Sequence, residues 1–124
     1  MIQGIGVDMV AIPRVAKVME HPRFLKKILG EDEQREVETH SAQPSSIAAR
    51  WAAKEAVGKA LGTGLAGIGL REIQLLHHKS GAPYIQLNGR ALEKAETQTP
   101  DGRWHVSLSH ENDMAIAMVI WETT

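Results

Sequence analysis

The sequence contains no cysteine, few aromatic residues (4%) and no excess of either charge. The lack of cysteine excludes disulfide scaffolds, thiolate zinc sites and cysteine nucleophiles. No apolar run approaches the roughly 20 residues of a transmembrane helix, and residues 1–8 lack the basic flank and apolar stretch of a signal peptide. A formal net charge of −1 gives no general attraction to nucleic acid or acidic membranes. We therefore expect a soluble cytoplasmic protein that binds neither.

The order of the predicted elements indicates one α+β domain. A chain of 124 residues is long enough for a single domain with its own core. Periodicity and turn residues predict a strand over 1–9, then helices starting near residue 12 and over 23–29, 31–38 and 47–61. The acidic 31–38 helix is expected to face solvent, and 41–46 to form a loop. Strands over 71–77, 84–87, 104–110 and 114–121 follow, with a helix over 90–97, an order typical of an α+β fold.

The predicted 47–61 helix carries a row of functional groups on an otherwise small-residue surface. Its alanines allow neighbouring elements to approach closely, which favours a central position; they occupy positions 48, 49, 52, 53, 56 and 60. Trp51, Glu55 and Lys59 are spaced four residues apart and form one row. Glu55 and Lys59 either form a surface ion pair worth about 0.2–0.5 kcal/mol, or are buried charges that need strong partners or a bound ion.

Asp8 is the second candidate for chemistry. In the first strand it shares one face with Gly4 and Gly6, and the two glycines leave that face bare for another element to approach. Asp8 either caps the following helix or binds a hard cation such as Mg²⁺, which is often held by one or two carboxylates plus substrate phosphates. Glu55 could supply the second carboxylate, although nothing in the spacing shows that the two meet.

Charge is distributed unevenly between two neighbouring segments. Residues 14–27 carry five basic side chains against one acid: Arg14, Lys17, Arg23, Lys26 and Lys27. Residues 31–38 carry five acids against one base. Each segment is either a solvated helix face or an interaction surface, and the basic one would suit an acidic protein partner. Double-stranded nucleic acid fits less well, because the patch is short and Phe24 is the only aromatic near it.

The remaining polar motifs are less specific. His110 follows Ser107 and Ser109 at a strand end, where it is either a turn residue or a phosphate contact. No nucleophile-elbow motif surrounds either serine, which disfavours a hydrolase. The glycine-rich loop over 62–69 follows a helix, whereas phosphate-binding glycine loops normally precede one.

Together these motifs resemble one family, holo-[acyl-carrier-protein] synthase, a short 4′-phosphopantetheinyl transferase. Residues 4–8 match G-x-G-x-D, followed by Ile12 and Arg14, and 23–29 with Glu33 resemble the second-helix segment. Residues 51–64 resemble W/F-x-x-K-E-A-x-x-K-A-x-G-T-G, the most specific signature. The G-x-P at 81–83 and the S-x-S-H at 107–110 extend the resemblance from residue 4 to about 120. Met9 and Trp51 are small departures, and 43–46 is polar where members often carry a basic residue.

The resemblance implies transfer of 4′-phosphopantetheine from coenzyme A to a serine of apo-acyl carrier protein, with release of adenosine 3′,5′-bisphosphate, in support of fatty acid synthesis. It implies a fold in which an antiparallel sheet packs against the long helix. Asp8 and Glu55 would hold Mg²⁺, and Lys59 would reach the same phosphates. The other implied contacts to coenzyme A are Arg50, Gly62, Gly64, Pro83, Ser109 and His110, with Arg50 and His110 at the 3′-phosphate. The base that takes the serine proton is left open between Glu55 and a water on the metal.

The resemblance also implies partners. The basic residues of 14–27 would receive the acidic carrier protein, and members of the family form homotrimers with active sites between subunits. Two other functions stay open at this point. A relative of the family would serve a polyketide or peptide synthetase carrier, and a non-catalytic module would only bind an acidic partner through 14–27.

Overall fold

The computed structural model describes residues 1–40 and 42–124. The first half consists of strand β1 and four helices: β1 Ile2–Ala11, α1 Ile12–Val18, α2 Phe24–Ile28, α3 Glu31–His40 and α4 Pro44–Leu61. The second half is richer in strands: a 3-10 turn at Leu70–Glu72, β2 Ile73–His77, β3 Pro83–Leu87, α5 Gly89–Gln98, β4 Arg103–Glu111 and β5 Met114–Glu122. The predicted α+β fold is confirmed.

Two antiparallel sheets are formed. The larger has the order β1-β5-β4, and β2 and β3 form a two-stranded sheet. The predicted hairpin joins β4 to β5, and Asn112 in its turn adopts a positive φ of 54°. Asparagine tolerates this left-handed conformation better than most residues, which suits it to a tight hairpin turn.

Helix α4 lies directly against β1. A Cβ atom added to Gly4 or Gly6 would overlap the backbone carbonyl oxygens of Ala60 and Ala56, respectively. Only glycine on the strand and alanine on the helix permit so close an approach. The sequence predicted both the bare glycine face and the central helix, and the structure confirms them.

Three predictions about local structure are wrong in part. Helix α4 begins at Pro44, inside the predicted loop, because proline at the first helical position has no N–H to lose; Ser41 of that loop lies outside the described residues. Helix α3 does not simply face solvent, since Glu33 and Val37 are buried. Strand β2 begins at Ile73 and not at residue 71, because residues 70–72 form a 3-10 turn; it is covered by both α3 and α4, so Gln74 and Leu76 are buried along with their neighbours.

The core lies between α4 and the inner face of the larger sheet. It contains Ile47, Val57, Val119 and Trp121, all essentially inaccessible to solvent. Trp104 stacks on Trp121 with ring centroids 5.0 Å apart. No helix among the described residues is long and apolar enough to cross a membrane.

Candidate active site

The contact between β1 and α4 brings Asp8 to Glu55. Gly4 lies at Ala60 and Gly6 at Ala56, so two residues of strand, about 6.6 Å, match four residues of helix, about 6 Å. Asp8 lies two residues after Gly6 on the strand. It therefore reaches the turn of α4 that precedes Ala56 and contains Glu55. Asp8 and Glu55 line one cavity of about 300 Å³. The structure thus unites two carboxylates that are distant in the sequence.

Lys59 pairs with the strand rather than with its helix neighbour. Its Nζ donates a hydrogen bond to the Val7 carbonyl at 2.9 Å and lies 3.3 Å from Asp8 Oδ1. Glu55 has no hydrogen-bond or ion-pair partner within residues 1–40 and 42–124. The alternative of a Glu55–Lys59 ion pair is therefore not realised.

The helix-capping alternative for Asp8 also fails. The residue at the N-cap of α1 is Ala11, and no side chain caps that helix. Asp8 is instead held in the cavity wall, with 19% of its side chain exposed. Gly4 and Gly6 lie on the same face of β1 as Asp8 and pack directly against α4. Following them along the strand, Asp8 is the residue on this face that offers a functional group.

The donor set in the cavity suits a hard divalent cation. Two carboxylates supply oxygen ligands, and a cavity open to solvent leaves the remaining coordination positions to water or to substrate phosphates. Within the described residues no group of three or more histidine and acidic side chains could hold a metal ion. Any cation at this site would therefore depend on non-protein ligands as well, which is the usual pattern for Mg²⁺.

The rest of the cavity wall is apolar apart from Arg14. Phe24 of α2 and Trp51 of α4 stack with ring centroids 5.7 Å apart. The other lining residues are Met9, Val10, Val15 and Val18. Trp51 thus belongs to the same row as Glu55 and Lys59, as the spacing predicted, and it joins the carboxylates to an apolar wall.

Asp8, Glu55 and Lys59 form the first group of candidate residues. A second group lines a different cavity, of about 330 Å³, at the start of α4. It contains Arg50, Ser109 and His110. The Arg50 side chain is only 4% exposed, and its Nη2 lies 2.8 Å from Glu36 Oε1. Its Nε lies 3.8 Å from Glu33 and has no hydrogen-bond partner among the described residues. Arg50 is therefore largely neutralised by carboxylates of α3.

Glu36 also connects Arg50 to the two-stranded sheet. Its carboxylate accepts hydrogen bonds from the His77 backbone N–H at 2.8 Å and lies 2.9 Å from His77 Nδ1. Partial burial acts to raise the pKa of Glu36, but the hydrogen bonds from His77 and the charge of Arg50 outweigh it and lower the pKa. Pro83 pairs with His77 in the sheet, so Pro83 lies near this second group. A cavity of about 640 Å³ beside Glu36 and Arg50 extends to Gly81.

Gly62 and Gly64 follow the first group at the end of α4. Gly62 is the C-cap residue, with φ of 83°, and Gly64 has φ of 63°. Side chains at these positions would meet no atom within 4 Å, so both glycines present open backbone one turn beyond Lys59. The positive φ angles alone account for glycine here.

Comparison with known proteins decides the family. The sequence model of the 4′-phosphopantetheinyl transferase superfamily matches residues 4–119. The holo-[acyl-carrier-protein] synthase of Clostridium tetani is 41% identical over 123 residues, covering 98% of this chain and 97% of that protein. The chain belongs to this family. The holo-[acyl-carrier-protein] synthases are enzymes, and the resemblance predicted from the sequence motifs is confirmed.

Solved structures of holo-[acyl-carrier-protein] synthases share the fold. The enzyme from Neisseria meningitidis matches with a TM-score of 0.87 and 33% identity, over 99% of this chain and 100% of that chain. The ACPS–CoA complex from Chronobacterium ammoniagenes matches with a TM-score of 0.84 and 29% identity, over 98% and 97%. Coenzyme A is thus bound by a relative with the same fold.

One buried charged pair was not predicted from the sequence. Lys54, one position before Glu55, is fully buried, and its Nζ lies 2.6 Å from Glu33 Oε1 and donates to the carbonyls of Leu70 and Ile73. Burial lowers the pKa of Lys54 from its ordinary value, against the opposing effect of Glu33. The signal in the sequence was the four-residue spacing of Arg50 and Lys54 on an alanine-rich helix.

The predicted basic surface on 14–27 is exposed. All five side chains lie on or beside α1 and α2 with no ion pair in the part of the chain that the structure describes: Arg14, Lys17, Arg23, Lys26 and Lys27. Arg14 also lines the cavity of Asp8 and Glu55. The basic surface therefore begins at the edge of the candidate active site.

Proposed function

We propose that the protein transfers 4′-phosphopantetheine from coenzyme A to a serine hydroxyl of an apo-acyl carrier protein, with Mg²⁺, in the cytoplasm and in support of fatty acid synthesis. The serine oxygen bonds to the phosphorus that carries pantetheine, the bridging P–O bond breaks, and its electron pair leaves with adenosine 3′,5′-bisphosphate. The convergence of Asp8 and Glu55 in one cavity, beside an ammonium group and an exposed basic surface, is the observation that supports this function.

The residues of the first group divide the chemical work. Asp8 and Glu55 are the residues that would hold Mg²⁺, and the bound cation would neutralise charge on the diphosphate of coenzyme A. Lys59 ends in a half-exposed ammonium group beside Asp8 and serves as a point charge for the same phosphates. Glu55 has no partner among the described residues, so it is also the protein carboxylate best placed to take the serine proton.

The second group is proposed to bind the nucleotide end of coenzyme A. Arg50 and His110 would contact the 3′-phosphate, with Ser109 and Pro83 beside them, and Gly62 and Gly64 would approach the nucleotide with their backbone. Arg50 and His110 line a cavity other than that of Asp8. A site that uses both groups is therefore best assembled from two subunits.

The outer face of the larger sheet supports a homotrimer. The register pairs Ile5 with Ile120 and Val7 with Met118, which places these side chains on the face away from α4. Ile5, Val7, Met9 and Met118 are exposed there. Exposed apolar patches of this kind mark association surfaces. Ser109 pairs with Ile116 and shares this face, so association through it would carry the second group of one subunit toward a neighbour.

The carrier protein is proposed to dock on α1 and α2. Five basic side chains without internal partners would attract an acidic domain and steer its approach. The apolar wall formed by Phe24 and Trp51 adjoins these charges. An incoming carrier would therefore meet charge complementarity at the rim and apolar contact next to the reacting serine.

Mass spectrometry of the carrier tests the reaction directly. Apo-acyl carrier protein incubated with coenzyme A, Mg²⁺ and this protein is expected to gain about 340 Da, the mass of the phosphopantetheine group that phosphoryl transfer delivers. Chelation of Mg²⁺ should stop the gain, and adenosine 3′,5′-bisphosphate should appear in equal amount. A carrier that binds tightly but keeps its mass would refute the transferase and favour a binding module. Competition among fatty acid, polyketide and peptide synthetase carriers identifies the preferred substrate.

A further inference from the structure

We infer that Lys59 opposes binding of a divalent cation in the free enzyme and supports it once the diphosphate of the substrate is present. The inference rests on the proposed function, because it assigns a second role to a residue of that site. A lysine in such a site is usually expected only to attract phosphate. Its position in the structure indicates that it first acts on Asp8.

The ammonium group of Lys59 lies beside Asp8 and not beside Glu55. It donates to the Val7 carbonyl at 2.9 Å and lies 3.3 Å from Asp8 Oδ1. Glu55, four residues earlier on the same helix, is left without a partner in the described part of the chain. The positive charge therefore lies at one of the two carboxylates that the cation requires, where the Val7 carbonyl accepts a hydrogen bond from it.

The charges of the cavity set the sign of the effect. A cation bound to Asp8 would lie within a few ångströms of the Lys59 ammonium and be repelled by it. At that separation, with effective dielectric constants between those of a protein surface and water, the repulsion weakens binding by at least about tenfold. Arg14 lines the same cavity and adds to the repulsion, but it lacks a bond to either carboxylate.

The diphosphate of coenzyme A reverses the sign. Its negative charges are shared between the cation and the ammonium group, so that Lys59 then holds a ligand of the cation in place. The Lys59 side chain is about half exposed, which leaves it free to turn from Val7 toward the substrate. Removal of the same ammonium group should therefore strengthen cation binding in the free enzyme and weaken it in the presence of coenzyme A.

Titration with Mn²⁺, followed by electron paramagnetic resonance of the unbound ion, measures this without any reaction. The full chain is compared as wild type, Lys59→Met, which keeps the alkyl stem, and Lys59→Arg, which keeps the charge. Lys94→Met is the matched control, because Lys94 lies on α5, donates to the Ala66 carbonyl and belongs to neither candidate group. We expect Lys59→Met to bind Mn²⁺ at least about tenfold more tightly than wild type, and Lys59→Arg and Lys94→Met to match wild type.

Addition of saturating coenzyme A should invert the order, so that wild type binds Mn²⁺ several-fold more tightly than Lys59→Met. Equal or weaker binding by free Lys59→Met overturns the inference, as does a gain that persists with coenzyme A. The variant Asp8→Asn distinguishes failure of the proposed metal site from failure of the proposed role of Lys59. If it leaves Mn²⁺ binding intact, the proposed metal site itself is wrong; if it abolishes binding while Lys59→Met changes nothing, only the role of Lys59 is refuted.

Discussion

Helix α4 carries two rows of charged side chains that look alike in the sequence and differ in the fold. Arg50 and Lys54 form one row and Glu55 and Lys59 the other, each with a spacing of four residues. In the first row both side chains are almost fully buried and paired with carboxylates of α3. In the second row Lys59 is half exposed, and Glu55 has no partner among the described residues.

The difference follows from what each row faces. The first row lies against α3, and a charge buried there costs several kcal/mol unless it is paired and hydrogen-bonded. The second row lies against β1, at the edge of a cavity, where solvent lowers that cost. Paired charges hold elements together, whereas charges left open are available to a ligand. The same contrast separates Glu33 and Glu36 of α3, which pair with α4, from the exposed bases of α1 and α2.

Loss of Lys54 should have the largest effect on folding. The substitution Lys54→Met leaves the buried Glu33 without its hydrogen-bonded cation and only with the more distant Arg50 at 3.8 Å, and breaking a buried pair in this way typically costs about 3–5 kcal/mol. Urea unfolding followed by circular dichroism measures the free energy. The double variant Glu33→Gln with Lys54→Met should recover part of the loss, because it leaves no unpaired charge. A loss of unfolding free energy below about 1 kcal/mol for the single variant would mean that the pairing of Lys54 contributes no more to stability than the open row of Glu55 and Lys59.

Substitution of Glu55, the residue after Lys54, should lower the rate of transfer and leave the stability of the fold almost unchanged. Glu55→Gln and Asp8→Asn are expected to lower the rate of transfer by roughly 10²–10³-fold, the scale on which a lost electrostatic contact to the transition state acts. The free energy of unfolding should change by less than about 1 kcal/mol, because neither carboxylate is enclosed. The rate comes from the mass assay and the stability from urea unfolding. Wild-type turnover in folded variants would remove the metal assignment.

Charge reversal on α2 should affect the carrier alone. The double substitution Lys26→Glu with Lys27→Glu removes two exposed charges that have no partner in the described residues. We expect the KM for apo-carrier protein to rise about tenfold and its salt dependence to weaken, since such charges mainly steer association. The KM for coenzyme A should not change. A charge reversal at Lys94, which lies outside 14–27 and lines neither the cavity of Asp8 nor those beside Arg50, should leave both constants unaltered.

The elements and the open row were largely predictable from the sequence. Local signals sufficed for the hairpin at Asn112, for the end of α4 at Gly62 and for the glycine face of β1. Helical spacing also put Glu55 and Lys59 on one row. What spacing could not show was the direction of the Lys59 side chain, because the choice between Glu55 and Asp8 depends on how β1 is placed.

The buried row was not predicted for a related reason. Glu33 and Lys54 are 21 residues apart, and their pairing requires α3 to pack across α4 and β2. The acidic composition of α3 is typical of a solvated helix, and only the tertiary contact converts Glu33 into a core residue. Gln74 is similar: it is buried because its side-chain oxygen accepts the N–H groups of Asp32 and Glu33 at the start of α3.

The smallest effect is expected at Glu72, a carboxylate intermediate between the two rows. It accepts hydrogen bonds from the N–H groups of Gly69 and Arg90 and so joins the 3-10 turn to the start of α5. Slight burial acts to raise the pKa of Glu72, but these donors and the charge of Arg90 outweigh it and lower the pKa below 4.5. Glu72→Gln should therefore cost about 0.5–1 kcal/mol at pH 7, like the loss of a helix cap.

The pH dependence of that difference shows whether the charge of Glu72 is responsible. A carboxylate whose pKa is lower in the folded than in the unfolded protein stabilises the fold at pH values above 4.5. This contribution is lost as the pH falls through the folded-state pKa, so wild type and Glu72→Gln should converge in unfolding free energy as the pH is lowered from 7 to values below 4.5. Glu93→Gln, on the exposed side of α5, controls for the general effect of removing a carboxylate. A gap between wild type and Glu72→Gln that stays constant with pH would mean that shape, and not charge, joins the turn to α5.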